Sequence, residues 1–206
     1  MALREKPSKG DVRRRQVLDA AADCFRRYGF HGASISRISQ ASGMSPGHIY
    51  HYFDTKEQIV EALIHLEESD QAELLQLVEQ DQGAGNFRDA VIRQVDVMLE
   101  RLLEAPRMAL MLEIAAEAAR NPKIAQILQR SDERVARQFA VLAHTKGDTA
   151  FSNLNDPESR TRLEMLPLIL SGVVYRALHN PNLDRDRLSV MVKTLLKTLW
   201  RQDTDV

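Results

Sequence analysis

The chain has 206 residues, 44% of them hydrophobic and 28% charged, with a formal net charge of −1, which is typical of a folded globular protein with a sizeable core. Its one cysteine, Cys24, excludes an intramolecular disulfide, and no apolar run approaches the ~18 residues that a membrane span requires. The first ten residues are polar and no apolar signal segment follows them, so we expect a cytoplasmic protein.

The charge is unevenly distributed along the chain. Residues 1–60 contain ten Lys and Arg against six Asp and Glu, a net of +4, which leaves −5 for the remaining residues. A basic N-terminal quarter on an acidic body is typical of a small nucleic-acid-binding head joined to a larger second domain.

Apolar residues recur at helical spacing along nearly the whole chain, and no alternating strand pattern of useful length occurs, so the sequence predicts an all-α protein. The first helix is expected to bury Leu18, Ala21, Phe25 and Tyr28. Start and stop signals place the first four helices at Asp11 to Gly29, Ser34 to Gly43, Ser45-Pro46 onward, and Thr55 to about Gln80, the last with Gln58 at capping-box spacing.

Five more helices are predicted after the linker DQGAGN (81–86), starting at Asn86, Pro106, Asn121-Pro122, Asp156-Pro157 and Asp184. Pro167 lies inside the eighth and is expected to kink it, and residues 146–156 form a loop with room for a short turn. We therefore expect about nine helices in two domains. Residues 1–55 form an N-terminal head, and residues 56–206 form a larger helical domain, with the helix at 56–80 connecting the two.

The third predicted helix is very short and has two unlike sides. It follows the second helix at helix-turn-helix spacing. Small residues let a backbone approach another surface closely, and aromatic and imidazole rings offer hydrogen bonds and flat contacts suited to base edges and phosphates. Ile49 and Phe53 define the buried side, and the other side presents Gly47, His48 and His51, with Tyr50 at its flank.

The stretch ASISRISQASGMSPGHIYHYFDTKEQI (33–59) resembles the helix-turn-helix of the TetR family of transcriptional regulators. The matching features are Ala-x-Gly at 41–43, a serine and small residues from 45, the Tyr-x-Tyr-Phe run at 50–53, and Lys-Glu at 56–57. The preceding RRRQVLDAAADCFRRYGFHGAS (13–34) is similar to the family's opening helix. One departure is Tyr52, where many members have histidine.

The resemblance implies roles for individual residues of the head. Ser36 and Arg37 match groove-edge and phosphate contacts, and Ser34 is expected to cap the second helix, although its hydroxyl could also reach a phosphate. The helix dipole disfavours a lysine in the first turn of a helix. Lys56 lies at such a position, and a phosphate facing it would account for its charge. Ser45, Pro46, Gly47, His48 and His51 match the base-reading face, and Tyr50, Tyr52 and Lys56 match phosphate anchors.

Other interpretations of these residues exist. His48, His51 and His65 could hold a metal, but no carboxylate or cysteine completes a sensible coordination sphere, so we predict no metal and no cofactor. Of the two tyrosines, Tyr52 is expected to be partly buried, because it falls nearer the side of Ile49. The arginines at 13–15 are either a solvated charge run or phosphate contacts.

The resemblance also implies that the last two helices, at about 157–179 and 184–202, form a homodimer interface. LPLILSGVVYRALH (166–179) and LSVMVKTLLKTLW (188–200) support this independently, because they are apolar over more surface than one small domain needs to cover. Two heads about one helical turn apart would read a pseudo-palindromic site in double-stranded DNA.

A small-molecule cavity among helices five to seven is implied by the resemblance alone. The sixth helix carries Glu113, Glu117 and Arg120 at spacings that allow either buried carboxylates facing a ligand or an exposed stripe with a Glu117–Arg120 pair. Residues that could line a cavity, or simply pack in the core, are Met98, Leu102, Met108, Met111, Phe139, Met165 and Tyr175.

The predicted function is that of a homodimeric, ligand-responsive repressor released from its operator by a small molecule. One alternative is a ligand-independent DNA-binding protein of the same fold, with a structural or division-related role. An enzyme is not predicted, because the sequence offers no nucleophile–base arrangement, no phosphate-cradling glycine loop and no metal cluster. The residues do not choose between efflux and catabolic control.

Overall fold

The computed structural model describes residues 8–200, and within this range the protein is all-α, as predicted. The bounds of its ten α-helices and one 3₁₀ helix are α1 Lys9–Gly32, α2 Ile35–Ser42, α3 Pro46–Tyr50, α4 Lys56–Gln80, α5 Phe87–Arg93, α6 Val95–Leu102, α7 Ala105–Ala118, α8 Pro122–Thr145, the 3₁₀ helix Thr149–Phe151, α9 Pro157–His179 and α10 Arg185–Leu199. No helix in the described range is long and apolar enough to cross a membrane.

Most predicted helix ends are confirmed, because the capping side chains bind as expected. Ser34, Ser45, Asn86 and Asp184 each accept a hydrogen bond from the backbone three residues on. The start of α1 is an exception. Ser8, and not Asp11, is the N-cap, and the Asp11 carboxylate accepts a hydrogen bond from the Ser8 backbone N–H, which completes a capping box.

Two further differences concern the second half of the chain. The predicted fifth helix is two helices, α5 and α6, which meet at Gln94, where ψ opens to 0°. The loop after α8 contains the short 3₁₀ helix. α9 runs through Pro167 without ending, and the predicted kink there stays a prediction.

The chain forms two compact units. Among the described residues, the first consists of those from 8 to 67 together with Ala109–Gln129, and the second of Glu68–Met108 together with those from 130 to 200. α4, α7 and α8 each contribute residues to both units. The domain boundary predicted at residues 55 and 56 remains a prediction.

The core of the first unit gathers the apolar faces of α1, α2 and α3. Leu18, Phe25, Ile38 and Ile49 are each at most 1% exposed. Residues from α4, α7 and α8 belong to the same cluster, among them Ile59, Leu110, Ile114 and Ile124. Tyr28, which the sequence predicted to be buried, is half-exposed instead.

The core of the second unit is built around aromatic rings. Phe151 lies between Phe87, at 5.8 Å, and Trp200, at 5.1 Å between ring centroids. Next to these rings, the buried Arg88 pairs with Asp148 at 3.1 Å and donates to the Trp200 carbonyl at 2.6 Å. This network joins α5, the turn after α8 and the end of α10.

Candidate nucleic-acid interface

The turn between α2 and α3 is fixed by backbone and side-chain hydrogen bonds. Gly43 ends α2 in the left-handed conformation at φ 68°, which glycine adopts without steric cost. The Ser39 hydroxyl donates to the Met44 carbonyl, and the Gln16 amide of α1 donates to the Ser42 carbonyl at 2.6 Å. The turn therefore holds α3 at a set angle to α1 and α2, as a helix-turn-helix requires.

α3 is held from one side only. Ile49 is fully buried and Phe53, just beyond the helix, is 2% exposed. Ser45 accepts from the His48 backbone at 3.3 Å, and Pro46 occupies the first helical position. The predicted base-reading residues, Ser45, Pro46, Gly47, His48 and His51, are all exposed.

Gly47 is not required by the fold. A Cβ atom at this position would meet no other atom within 4 Å, and Gly47 does not have the positive φ that would favour glycine. A glycine that no internal contact demands, on an exposed helix face, fits a surface that another backbone or base edge approaches closely.

The rings of the α3 region form a cluster around Tyr52. The Tyr52 ring lies 5.7 Å from that of His48 and 5.1 Å from that of His51. Tyr52 is partly buried, as predicted, whereas Tyr50 is half-exposed. The partly buried Tyr52 therefore orients the two exposed imidazoles. Separately, no group of His, Cys, Asp and Glu residues in the described range could hold a metal ion.

At the start of α2, Ser34 acts as the predicted cap by accepting from the Arg37 backbone at 3.2 Å. The Arg37 guanidinium lies over the Tyr28 ring at 4.4 Å and donates to the Gly32 carbonyl at 3.3 Å. Ser36 is exposed. The sequence did not predict the Tyr28–Arg37 contact, because it links residues of two helices.

Lys56, one of the three predicted phosphate anchors, is bound within the protein. Its ammonium group donates to the Phe30 carbonyl at 2.6 Å and lies 4.3 Å from the centre of the Phe30 ring. Partial burial lowers the pKa of Lys56, and the nearby Glu57 and Glu117 oppose this shift. These contacts give a second explanation for a cation in the first turn of α4.

Glu113 and Glu117 contact the end of α1. A Glu113 carboxylate oxygen accepts from the Phe30 backbone N–H at 2.8 Å. Glu117 is 1% exposed and pairs with Arg120 at 2.7 Å and with His31 at 3.3 Å. One of the two predicted arrangements was an exposed stripe with a Glu117–Arg120 pair. The pair is present, but the prediction that the stripe is exposed is wrong, because Glu117 is buried. Neither arrangement anticipated the contacts with α1.

The other predicted cavity residues are spread over both units. Met111 packs against the core of the first unit, and Met98, Met108 and Phe139 belong to or pack against the core of the second. Leu102 and Met165 are partly buried. Tyr175 is 59% exposed, which argues against its lining an enclosed cavity.

α9 and α10 present an exposed apolar face. Large apolar side chains on these helices, between 43% and 63% exposed, are Leu168, Tyr175, Leu178, Val190, Met191, Leu195 and Leu199. The two helices contact each other within the second unit. Residues 201 and 202, the predicted end of the last helix, lie outside the described residues.

The chain is similar in sequence to known transcriptional regulators. Residues 17–63 match the family model described as bacterial regulatory proteins, tetR family. The HTH-type transcriptional repressor Rv1474c of Mycobacterium tuberculosis is 31% identical over 166 residues, which is 80% of this chain and 82% of that protein. The HTH-type transcriptional regulator UidR of Escherichia coli K12 is 33% identical over 123 residues, 56% of this chain, and the match spans only 57% of UidR.

Solved structures share the fold over nearly the whole chain. Salmonella enterica GusR superposes with a TM-score of 0.73 at 26% identity, covering 95% of this chain and 98% of GusR. FadR of Bacillus subtilis, solved in complex with stearoyl-CoA, has a TM-score of 0.65 and covers 91% of this chain and 99% of FadR. At 20% identity, the likeness to FadR shows the fold alone.

Proposed function

This chain belongs to the TetR family of transcriptional regulators, and we propose that it is a homodimeric repressor that binds double-stranded DNA and is released by a small molecule. We assign DNA binding to residues 1–55, and ligand binding and dimerisation to residues 56–206. Because it would act on double-stranded DNA, we place its action in the cytoplasm.

The exposed side of α3 carries the DNA-binding half of the proposal. Its residues are small or ring-bearing, they are exposed, and they are anchored from behind by Ile49 and Phe53. Side chains of this kind bind base edges and thymine methyl groups in the major groove, while the first helix of the motif crosses the phosphate backbone. In this arrangement His48 and His51 read bases, and Ser36, Arg37 and Tyr50 contact phosphates.

The exposed apolar face of α9 and α10 supports the homodimer. A patch of seven large apolar side chains is more than single exposed residues explain, and such patches mark interaction surfaces. A second copy offers the same patch, so a two-fold interface buries both at once. Two heads related by that symmetry would bind a pseudo-palindromic operator.

The ligand half of the proposal rests on the family and on a neighbour of the same fold, FadR of B. subtilis, whose structure holds stearoyl-CoA. A ligand among α5 to α8 that displaces α4 would change the separation or tilt of the heads. It can shift the equilibrium only by its preference for the released state, and about 1.4 kcal/mol of preference lowers DNA affinity tenfold. A protein of the same fold that no ligand releases is the alternative.

DNA binding is tested by selecting duplexes from a random-sequence pool with the full chain and measuring affinity by fluorescence anisotropy. We expect a pseudo-palindromic duplex whose affinity falls steeply with salt, because phosphate contacts release counterions. His51→Ala should weaken binding strongly, and His144→Ala, at an exposed position on α8, should not. Selection of no duplex, or equal binding by both variants, would overturn the assignment of α3.

Dimerisation is tested with the variant Leu195→Asp, which places a charge in the exposed apolar face of α10. Its oligomeric state is measured by sedimentation, and its affinity on the same duplex by fluorescence anisotropy. We expect a monomer by sedimentation, with DNA affinity reduced because only one half-site is bound at a time. A dimer that survives this change would place the interface elsewhere.

A further inference from the structure

We propose that Glu113 is a positioning residue through which a displacement of α7 lowers the DNA affinity of the head. This inference rests on the proposed function and deepens it, because it names a contact that makes the head responsive to movement of another helix. It concerns residues of the first unit, and none of them belongs to the base-reading side of α3.

The peptide groups on either side of Phe30 are held by two charged side chains. Glu113 of α7 accepts from the Phe30 N–H at 2.8 Å, and Lys56 of α4 donates to the Phe30 carbonyl at 2.6 Å. Hydrogen bonds to charged groups are about twice as strong as neutral ones. Three helices, α1, α4 and α7, therefore meet at one residue.

Gly29 makes room for this contact. Its φ of 70° breaks the helical geometry of α1 just before Phe30. A Cβ atom here would also lie 3.2 Å from the Glu113 carboxylate, closer than ordinary van der Waals contact. The left-handed backbone and the approach of the carboxylate both favour glycine at this position, so backbone and side chain together shape the contact.

Glu117, one turn further along α7, holds the next residue of α1. Its buried carboxylate lies 3.3 Å from the His31 ring nitrogen. Two side chains of α7 thus contact residues 30 and 31, which lie only a few residues before Ser34, the cap of α2. A movement of α7 would be transferred to the start of the helix-turn-helix.

The contact is sensitive to displacements of the size that regulatory proteins use. Helices shift by about 1–2 Å in such transitions, and a shift of about 1 Å would stretch the 2.8 Å hydrogen bond beyond hydrogen-bonding distance. α7 runs without interruption from Ala105 to Ala118, so a displacement of the helix along its axis reaches Glu113.

The test compares Glu113→Ala, Glu113→Gln and the control Glu100→Ala, at an exposed glutamate of α6. Affinity is measured on the duplex selected by the wild-type protein, and thermal unfolding is followed in parallel. We expect Glu113→Ala to bind about tenfold more weakly, because a contact made in the DNA-bound conformation and lost in the released one needs to differ by only about 1.4 kcal/mol to have this effect. Glu113→Gln, which keeps an acceptor oxygen, should recover most of the affinity.

A second measurement uses the wild-type protein and does not depend on how a variant folds. Coupling between two sites is reciprocal, so duplex binding should slow hydrogen exchange at the Phe30 amide and along α7. If the Glu113→Ala variant is less stable but binds the duplex as tightly as the control Glu100→Ala, the role of Glu113 is structural only and the inference is overturned. Unchanged exchange at Phe30 on adding the duplex would also overturn it. Failure of the wild-type protein to select any duplex would instead refute the proposed function.

Discussion

Replacing Gly47 by alanine should stabilise the protein and weaken its binding to DNA. Gly47 is the second residue of α3, its φ is not positive, and a methyl group there meets nothing within 4 Å. Alanine at such a position lowers the entropy of the unfolded chain without straining the native one. The expected gain in unfolding free energy is about 0.4–1 kcal/mol.

The same methyl group should act in the opposite direction on the complex. If a base edge or sugar packs against Gly47, the methyl overfills that contact, and overpacking costs about 1–3 kcal/mol. This corresponds to a loss of roughly 5- to 150-fold in affinity. Opposite signs for stability and binding distinguish a residue chosen for its external partner from one chosen for the fold.

Urea unfolding and fluorescence anisotropy on the selected duplex would measure the two effects. Gly10→Ala is the matched control for stability, because Gly10 is also the second residue of an α-helix and a Cβ there makes only an ordinary contact at 3.5 Å. Undiminished DNA affinity of Gly47→Ala would refute the close approach. Lower stability would refute the view that the fold leaves this position free.

Two further predictions concern the second unit. Arg88→Met should cost about 3–5 kcal/mol of unfolding free energy by urea titration, because it leaves the buried Asp148 carboxylate without its charged partner. Adding Asp148→Asn should restore part of this loss. A loss under about 1 kcal/mol would contradict the pairing. Asp81 accepts from Arg93 at 2.7 Å, and this contact chiefly lowers the pKa of Asp81 from 3.8 to about 2. The stabilisation is present above pH 3.8 and is lost as the pH falls through about 2. Asp81→Asn should therefore be less stable than wild type near neutral pH, and the difference should shrink below about pH 4; a constant difference would contradict it.

The sequence predicted what depends on neighbouring residues. The caps at Ser34, Ser45 and Asn86 follow from residues three positions apart, and the buried and exposed sides of α3 follow from the period of a helix. Ser8 was missed because Asp11, three residues on, is an equally good capping residue by type, and only the hydrogen bonds distinguish their roles.

Contacts between distant residues of the head could not be predicted in this way. The Glu113 contact with Phe30 spans 83 residues and the Lys56 contact spans 26. Helical spacing placed Glu113 and Glu117 on one stripe but did not show what faced it. Gly29 was a local signal, since a glycine there predicted the end of the first helix, but it did not indicate which side chain would approach.

The shortness of α3 explains why its two sides differ so sharply. A helix of five residues is not stable alone, because nucleation costs more than its few hydrogen bonds return. Its conformation must come from elsewhere, and here it comes from the Ser45 cap, from Pro46 and from the burial of Ile49 and Phe53. These contacts fix the helix, so its stability does not depend on the residues opposite. Glycine and histidine have lower helix propensity than alanine, but in this short helix Gly47, His48 and His51 can be chosen for their contacts with DNA. The double variant Ile49→Val with His51→Ala should therefore lose as much stability as the two single variants lose together, nearly all of it from Ile49. Its loss of DNA affinity should be that of His51→Ala alone. Coupling larger than about 0.5 kcal/mol in the unfolding free energies would show that the two sides are not independent.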